Sequence, residues 1–396
     1  MLKIFDPITN VVRPIQIKNN NISMYVCGVT PYDVGHLGHA LTYVFFDTVK
    51  RYLEFSGFQV THIQNITDID DGMILKSIEK DLTIAELTEQ NHQVYLDEMR
   101  NLNVSEPDSF PLSSEYIPQI VASIKMLIEK RFAYENAGHV FFDHSRLSNF
   151  GHLLGKSVAE IRNLQKTDTM PDEPDELKKD KLDFLLWQPE TFKEASFDSP
   201  WSSGRPGWHI ECSTMVNEII GDQVTIHGGG YDLIFPHHEC EVAQSESLTD
   251  IEPYCLNWMH VHSLKINNEK MSKSLGNLIR VSDLLQKDID GNVIRMYLLS
   301  SHYRSGINYD EKVLRSFLSK NELLREALIA PGGPPDNLAI QPFRNSFMNA
   351  MDDDFNTSQA LDIIYEIATL ILDGQLDAKT AVPTIKELCN VLGIVL

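Results

Sequence analysis

The pattern of apolar and polar positions defines a folding unit near the start of the chain. Ser23 to Cys27 (SMYVC) is a short, mostly apolar run that reads as a strand, and the loop GVTPYDVG after it is punctuated by Gly28, Pro31 and Gly35. A helix is expected from near His36. Leu41, Val44, Phe45, Thr48, Tyr52 and Leu53 recur at helical spacing and Gly57 supplies a stop signal. Residues 59–66 (QVTHIQNI) return to a strand pattern. Strand, helix, strand is a βαβ unit, expected to be parallel and right-handed, with ligands at the carboxyl ends of its strands.

Residues 73–132 read as mostly helical, with Ile117, Ile120, Val121, Ile124, Leu127 and Ile128 forming a stripe. From about 134 to 207 the pattern becomes irregular apart from a strand-like HVFFD, and a polar stretch runs from Pro171 to Asp183; this reads as an insertion. Alternation resumes with CSTMVNEIIG and QVTIHGGGYDLIFPHHECEVAQSE, which predict helix, strand, glycine-rich turn and helix, the second half of the sheet. Beyond residue 310 the chain is helical, with a linker-like PGGPP at 331–335. The expected class is α/β, a doubly wound parallel sheet with a mixed insertion and a C-terminal helical bundle. The expected divisions are 1–110 and 204–260 for the two halves of the nucleotide-binding domain and 111–203 for the insertion. A linker region at 261–310 and the bundle at 311–396 complete them.

Composition narrows the possibilities. Across 396 residues, 34 Lys+Arg stand against 56 Asp+Glu, a net charge of -22, so any contact with RNA must be local. No apolar run approaches the ~20 residues that span a bilayer. MLKIFDPITN has no apolar signal core, so a cytoplasmic location without membrane partners is expected. The five cysteines are odd in number and dispersed, which suits metal ligands or buried thiols better than a disulfide framework.

Three constellations carry chemistry. His36-Leu37-Gly38-His39 sits where a loop gives way to a helix. Two imidazoles at i and i+3 share a face, Gly38 lets a planar ligand approach the backbone, and the helix terminus attracts phosphate oxygens. On spacing alone they could equally be two surface histidines. Lys270-Met271-Ser272-Lys273-Ser274 is a small loop whose ammonium groups suit charge developing on a triphosphate, or simply a solvated basic loop. His237 and Glu241, at i and i+4, share a helical face, and Cys27 and Cys212 could converge on the same crevice. Two thiolates, one imidazole and one carboxylate make a tetrahedral zinc set, although buried structural cysteines would leave the same mark.

Taken together and in order, Cys27, HLGH at 36–39, NITDIDD at 65–71, GRPGWHIEC at 204–212, HGGGYDLIFPHHECE at 227–241 and KMSKSLGN at 270–277 closely resemble cysteinyl-tRNA synthetase, a class I aminoacyl-tRNA synthetase. MDDDFNT at 351–357 resembles that family's helical region, so the likeness spans nearly the whole chain. The resemblance implies zinc on Cys27, Cys212, His237 and Glu241, and catalytic roles for His36, His39, Lys270 and Lys273. It puts Thr67 and Trp208 beside the amino-acid pocket, and Gly229 and Asp232, with Gly38 and Lys273, around ATP and Mg²⁺. Zinc would explain the choice of L-cysteine, because a soft thiolate enters its coordination shell and the hydroxyl of serine is a much poorer ligand.

His227 and His238 could hold the substrate pocket or pack near it. Asp68, Asp70 and Asp71 could position an ammonium group or form caps and turns. Cys240, Cys255 and Cys389 read as core thiols, and Asp352 to Asp354 as a helix cap.

The acceptor is left open by the residues themselves. The resemblance implies the acceptor stem of tRNA-Cys; a monomer is expected by default, since nothing in the sequence marks a dimer surface. Family members ordinarily continue into an anticodon-reading domain, which is expected to be absent here, and residues 311–396 carry seven Lys+Arg against twelve Asp+Glu. TPYD-x-x-HLGHA at 30–40 also resembles the shortened ligase that joins cysteine to the amine of glucosaminyl-inositol. A small amine is therefore the alternative acceptor. A non-catalytic relative that binds zinc and nucleotide is a third reading, against which the signature residues are all intact.

Overall fold

The computed structural model describes residues 1–32, 35–164, 173–192, 195–271, 276–331 and 337–396. The chain opens on a hairpin, β1 (Lys3–Asp6) against β2 (Val11–Pro14), tightened by Asp6, whose carboxylate accepts from Thr9 Oγ1 at 2.8 Å and Arg13 Nε at 2.7 Å. The expected βαβ unit follows as β3 (Asn21–Val29), α1 (Leu37–Phe55) and β4 (Gln59–Ile66). β3 and β4 pair in parallel, Asn21 opposite Gln59 and Tyr25 opposite Ile63. β3 runs on to Val29, so Cys27 lies inside the strand rather than ending it.

α2 (Asp71–Lys80), α3 (Ile84–Asn101) and α4 (Ile117–Glu129) fill the stretch read as helical, but residues 102–112 between the last two are not helical. Pro107 and Pro111 stand there without backbone donors, and the segment lies along β4 through bridges at Ile63–Ser109 and Ile66–Leu112.

The region read as irregular holds a sheet of its own. β5 (Ala133–Asn136), β6 (His139–Phe142), the short α5 (Val158–Ile161), β7 (Phe184–Pro189) and β8 (Gly204–Pro206) give an antiparallel order β5-β6-β7-β8. Its strands are only 3–6 residues long, too short for a visible alternation; β5 and β6, the strand-like HVFFD, form a hairpin through Ala137-Gly138, and β7 and β8 come from farther along the chain. Phe142, Phe184 and Trp187 bury one face against Ile120, Ile124 and Leu127 of α4.

The second half of the main sheet is α6 (Trp208–Ile219), β9 (Val224–Gly230), α7 (Glu239–Thr249) and β10 (Cys255–Val261). The strand order is β10-β9-β3-β4, all parallel. Connections leave β3 and β9 toward opposite edges, which opens a crevice at their carboxyl ends, the usual place for a ligand in such a sheet. Gly228 is needed there, because a Cβ would overlap the Phe46 ring of α1.

β11 (Leu264–Ile266) and β12 (Glu269–Lys270) form a hairpin through Asn267 and Asn268, both left-handed at φ 53 and 66, the turn that asparagine tolerates. α8 (Val281–Leu285), α9 (Gly291–Leu299) and β13 (Ile307–Tyr309) lead to the bundle of α10 (Glu311–Ile329), α11 (Asn337–Asp352), α12 (Thr357–Leu372) and α13 (Ala378–Val391). Asp352 to Asp354 do not cap a helix. Asn356 caps α12, while Asp354 accepts from Tyr303 Oη, Arg304 Nε and Phe5 N, and Asp352 from Tyr52 Oη and the Met1 ammonium. Asp352 and Asp354 fasten the bundle to the N-terminal hairpin, to α1 and to the segment after α9. Among the described residues, no helix is long and apolar enough to cross a membrane.

Candidate active site and metal centre

Four elements converge on the crevice. β3 brings Cys27; α6 brings Trp208 and Cys212, at i and i+4 on one face; the turn before α7 brings His237 and its first turn Glu241. The donor atoms of Cys27, Cys212, His237 and Glu241 all lie within 4.8 Å of one another, and all four residues are buried. Glu241 Oε1 is 3.6 Å from Cys27 Sγ and 3.1 Å from His237 Nε2. Zinc bonds of about 2.0–2.3 Å imply tetrahedral edges of roughly 3.3–3.8 Å, close to these separations.

Cys27, His227, His238 and Glu241 form an overlapping group. Glu241 distinguishes the two. Its Oε1 faces Cys27 and His237, whereas Oε2 is held from behind by His227 Nε2 at 3.0 Å and Tyr254 Oη at 3.2 Å. His227, expected against the substrate, is thus fully enclosed, with its ring stacked on Trp258, and acts by orienting Glu241. His238 Nδ1 is committed to His260 Nε2 at 2.8 Å. On the other flank, His209 Nδ1 meets His237 Nδ1 at 3.0 Å, leaving His237 Nε2 turned toward the donor cluster.

The electrostatics are those of a cation site. Burial pushes the Cys27 thiol well up, whereas the hydrogen bond from Cys27 holds Cys212 at about 6 against burial. Burial would lower His237, but Glu241 and Cys212 raise it to about 10. Burial would likewise raise Glu241, but His227 and His237 hold it well below the usual carboxylate range. Two soft sulfurs, one imidazole and one carboxylate, enclosed and carrying protons that a metal would replace, fit zinc.

Thr67 stands just past β4 and is buried, and its backbone N–H donates to Val29 O at 3.1 Å. Asn65 accepts from Gly28 N at 2.8 Å, where a Cβ would overlap the Asn65 carbonyl. The Trp208 ring lies 4.2 Å from that of His237. Trp208 therefore adjoins the donor cluster through His237, and Thr67 is tied to the end of β3, two residues beyond Cys27. The acidic run divides its labour: Asp70 caps α2, Asp68 accepts from Ser114 N and Oγ, and Asp71 pairs with Arg205.

The nucleotide end is built around the start of α1. His36 is its N-cap, with Nδ1 accepting from Gly38 N at 3.1 Å and His39 N at 3.3 Å, and the two imidazoles stack at 3.8 Å. That acceptor role places the His36 proton on Nε2. The β11–β12 hairpin delivers Met271 beside Gly38, where a Cβ would stand 3.2 Å from Met271 Cε and 3.0 Å from the His36 ring. Leu37 N donates to Ile279 O at 2.8 Å. The segments on either side of 272–275 thus bracket the helix start. Lys273 itself lies outside the described residues, as does the side chain of Lys270.

Gly229, at the carboxyl end of β9, adjoins the metal end, since a Cβ there would be 3.5 Å from both Cys27 Cβ and His238 Cε1, and the carboxylate of exposed Asp232 turns back over Gly230. Cys240, Cys255 and Cys389 are buried in apolar clusters, as expected of core thiols. His209, Tyr254 and His260 were not singled out by sequence reasoning. His209 is the one that left a signal, three residues before Cys212 on the same helical face.

Residues 14–319 match the catalytic domain described as tRNA synthetases class I (C), and residues 346–396 match the DALR domain. Cysteine–tRNA ligase of Streptococcus equi subsp. zooepidemicus is 39% identical over 399 residues, covering 100% of this chain and 88% of that protein. The ligase of the same name from Dehalococcoides mccartyi is 37% identical over 402 residues, covering 99% and 86%. Methionyl-tRNA synthetase of Mycobacterium tuberculosis, solved with methionyl-adenylate, superimposes with a TM-score of 0.66 over 94% of this chain and 89% of that one, at 14% identity, a likeness of fold.

Proposed function

Since the chain belongs to the class I tRNA synthetases of the cysteine type, we propose that it activates L-cysteine with Mg·ATP and transfers the cysteinyl group to the acceptor stem of tRNA-Cys. The observation that carries this reading is the meeting of Cys27, Cys212, His237 and Glu241 beside Trp208. A zinc ion held by those four residues, able to expand its coordination to five, would offer a position that a thiolate fills far better than a hydroxyl. Trp208 and Thr67 then confine the rest of the amino acid, so that its carboxylate points toward Gly229 and the start of α1.

The carboxylate attacks the α-phosphorus of ATP and pyrophosphate leaves. His36 donates from Nε2 to the phosphate oxygens, with His39, Lys270 and Lys273 adding positive charge or donors as negative charge spreads. Asp232 and the glycine strand end receive ribose and adenosine. In the second step the terminal ribose hydroxyl of the tRNA attacks the carbonyl carbon, the bond to AMP breaks, and the hydroxyl proton leaves with the phosphate. The DALR match at 346–396 supports tRNA as acceptor. The enzyme is proposed to work as a cytoplasmic monomer.

Labelled cysteine and ATP, offered with total tRNA in one tube and with glucosaminyl-inositol in another, test the acceptor. Acid-precipitable label that RNase releases is the expected result; a thiol-bearing amide in the second tube alone would refute it.

Gly38→Ala isolates the nucleotide end. Alanine favours a helix over glycine by up to about 1 kcal/mol, so thermal stability should hold or rise. The new Cβ crowds the His36 ring and Met271. The Michaelis constant for ATP in cysteine-dependent pyrophosphate exchange should rise roughly tenfold, about 1.4 kcal/mol.

A further inference from the structure

The buried face of α3 carries polar groups among its apolar ones. Asn91, Tyr95 and Glu98, at i, i+4 and i+7, share that face and are all buried, Glu98 to 4% exposure. Each reaches a different part of the nucleotide end. Asn91 Nδ2 donates to Pro31 O at 2.6 Å, in the loop that leads to His36. The Tyr95 ring stands edge-on to Tyr43 of α1 at 5.4 Å. Glu98 Oε1 accepts from Ser282 N, in the first turn of α8, at 3.2 Å. Its Oε2 looks onto Gly35, where a Cβ would stand 3.4 Å from it and 3.8 Å from His39 Nδ1.

The carboxylate therefore lies between the residue that precedes His36 and the segment that follows KMSKSLGN. That segment has a second tether, because Leu37 N donates to Ile279 O at 2.8 Å. Two tethers three residues apart, one on α1 and one on α3, fix the direction of residues 279–282 as well as their position. With the α3 tether removed, the segment can pivot about Leu37. A buried carboxylate is costly unless it is hydrogen-bonded and countered by charge. Burial pushes the Glu98 carboxyl up, while the Ser282 donors and Arg280 draw it down. Leucine would fill the space without that cost, so the distinctive contribution of Glu98 is its two directed oxygens.

We propose that Glu98 is a positioning residue for ATP, whose carboxylate sets the start of α1 and the segment after KMSKSLGN in the relative placement that turns both signature elements toward one triphosphate. It acts through His36, His39 and residues 279–282 rather than on the reacting atoms. The assignment rests on the cysteine-activation reading given above.

Glu98→Leu fills the same space and removes both oxygens; Glu98→Gln keeps an acceptor for Ser282 N. The readouts are cysteine-dependent pyrophosphate exchange with ATP and cysteine varied separately, zinc content, and the thermal midpoint with and without saturating Mg·ATP. Glu98→Leu is expected to keep its zinc, its Michaelis constant for cysteine and its midpoint without ATP. It should lose about 10- to 100-fold in kcat/KM for ATP, the scale of a small misplacement of reacting groups. Glu98→Gln should recover most of that loss.

Wild-type kcat/KM for ATP in Glu98→Leu would overturn the assignment. So would equal losses for ATP and cysteine with a lowered midpoint, the mark of a residue that only supports the fold, or a Glu98→Gln no better than Glu98→Leu. If the wild type shows no exchange with cysteine, the activation reading falls and the rise in midpoint on adding Mg·ATP still decides. A smaller rise in Glu98→Leu than in the wild type then supports the assignment, and an equal rise overturns it.

Discussion

Cys212→Ser is expected to lose zinc and, with it, cysteine activation. The hydroxyl oxygen is a harder and less acidic donor than the thiol that this site holds near 6, and it replaces one of the two soft ligands in the set. Loss of outer partners alone typically costs 10–100-fold in affinity or activity, so loss of a ligand should lower cysteine-dependent pyrophosphate exchange by at least about 100-fold. Metal analysis should fall from about one zinc per chain to well below half. Tyr254→Phe, which removes only the hydroxyl that steadies Glu241 Oε2, should fall between the wild type and Cys212→Ser. Full zinc content and undiminished exchange in Cys212→Ser would show that the cluster is not the metal centre.

The second large effect is on stability. Arg295 of α9 is fully buried and paired with equally buried Asp47 of α1, and it also donates to Leu392 O at 2.5 Å, Leu102 O at 2.9 Å and Thr48 Oγ1 at 3.2 Å. Burial would raise Asp47, but Arg295 and Arg51 hold its carboxyl below the ordinary value. Arg295→Ala would take from that buried carboxylate one of its two guanidinium partners, leaving Arg51 Nε at 2.8 Å and Ser105 N, and would strand three buried acceptors. Breaking such a pair from one side typically costs about 3–5 kcal/mol, which should appear as a clear fall in the urea midpoint. Replacing both partners, as Arg295→Met with Asp47→Leu, should recover part of the loss, because the buried carboxylate goes with the buried guanidinium and the partly exposed Arg51 keeps Asn103 O and Ser105 Oγ as acceptors. A wild-type midpoint for Arg295→Ala would mean the clamp between α1 and the end of α13 contributes nothing.

How much of this was legible in the sequence depends on how local each feature is. β3, α1 and β4 are carried by continuous patterns: the apolar stripe of α1 and the run QVTHIQNI, observed as Gln59–Ile66. β5 to β8 are 3–6 residues each, and only HVFFD, the β6 strand, left a visible pattern; β7 and β8 join it from farther along the chain, beyond any local window. The proline-containing stretch 102–112 interrupted an otherwise helical reading for a reason that Pro107 and Pro111 did announce.

The metal ligands divide in the same way. His237 and Glu241 share a turn and were visible as a pair, whereas Cys27 and Cys212 reach them only through the parallel register of β3 with β9 and the packing of α6. A family likeness, not spacing, selected all four. The direction of Glu241 Oε2 toward His227 and Tyr254 has no sequence signature, which is why the sequence left His227 between holding the substrate pocket and packing near it, whereas it is found behind Glu241. Asp352 to Asp354 resembled a cap because acidic residues preceding a helix usually are one; here their partners come from the N-terminus and from Tyr52, Tyr303 and Arg304, all remote in sequence.

Selection of cysteine by a sulfur-seeking metal centre is the core of the account, and amino-acid-dependent ATP–pyrophosphate exchange measures it. With the zinc-loaded protein and no RNA, cysteine should drive exchange while serine, which differs by a single atom, should drive it at least about 10⁴-fold less efficiently, a margin beyond what pocket shape alone can supply. Comparable exchange with serine, or none with cysteine, would contradict it.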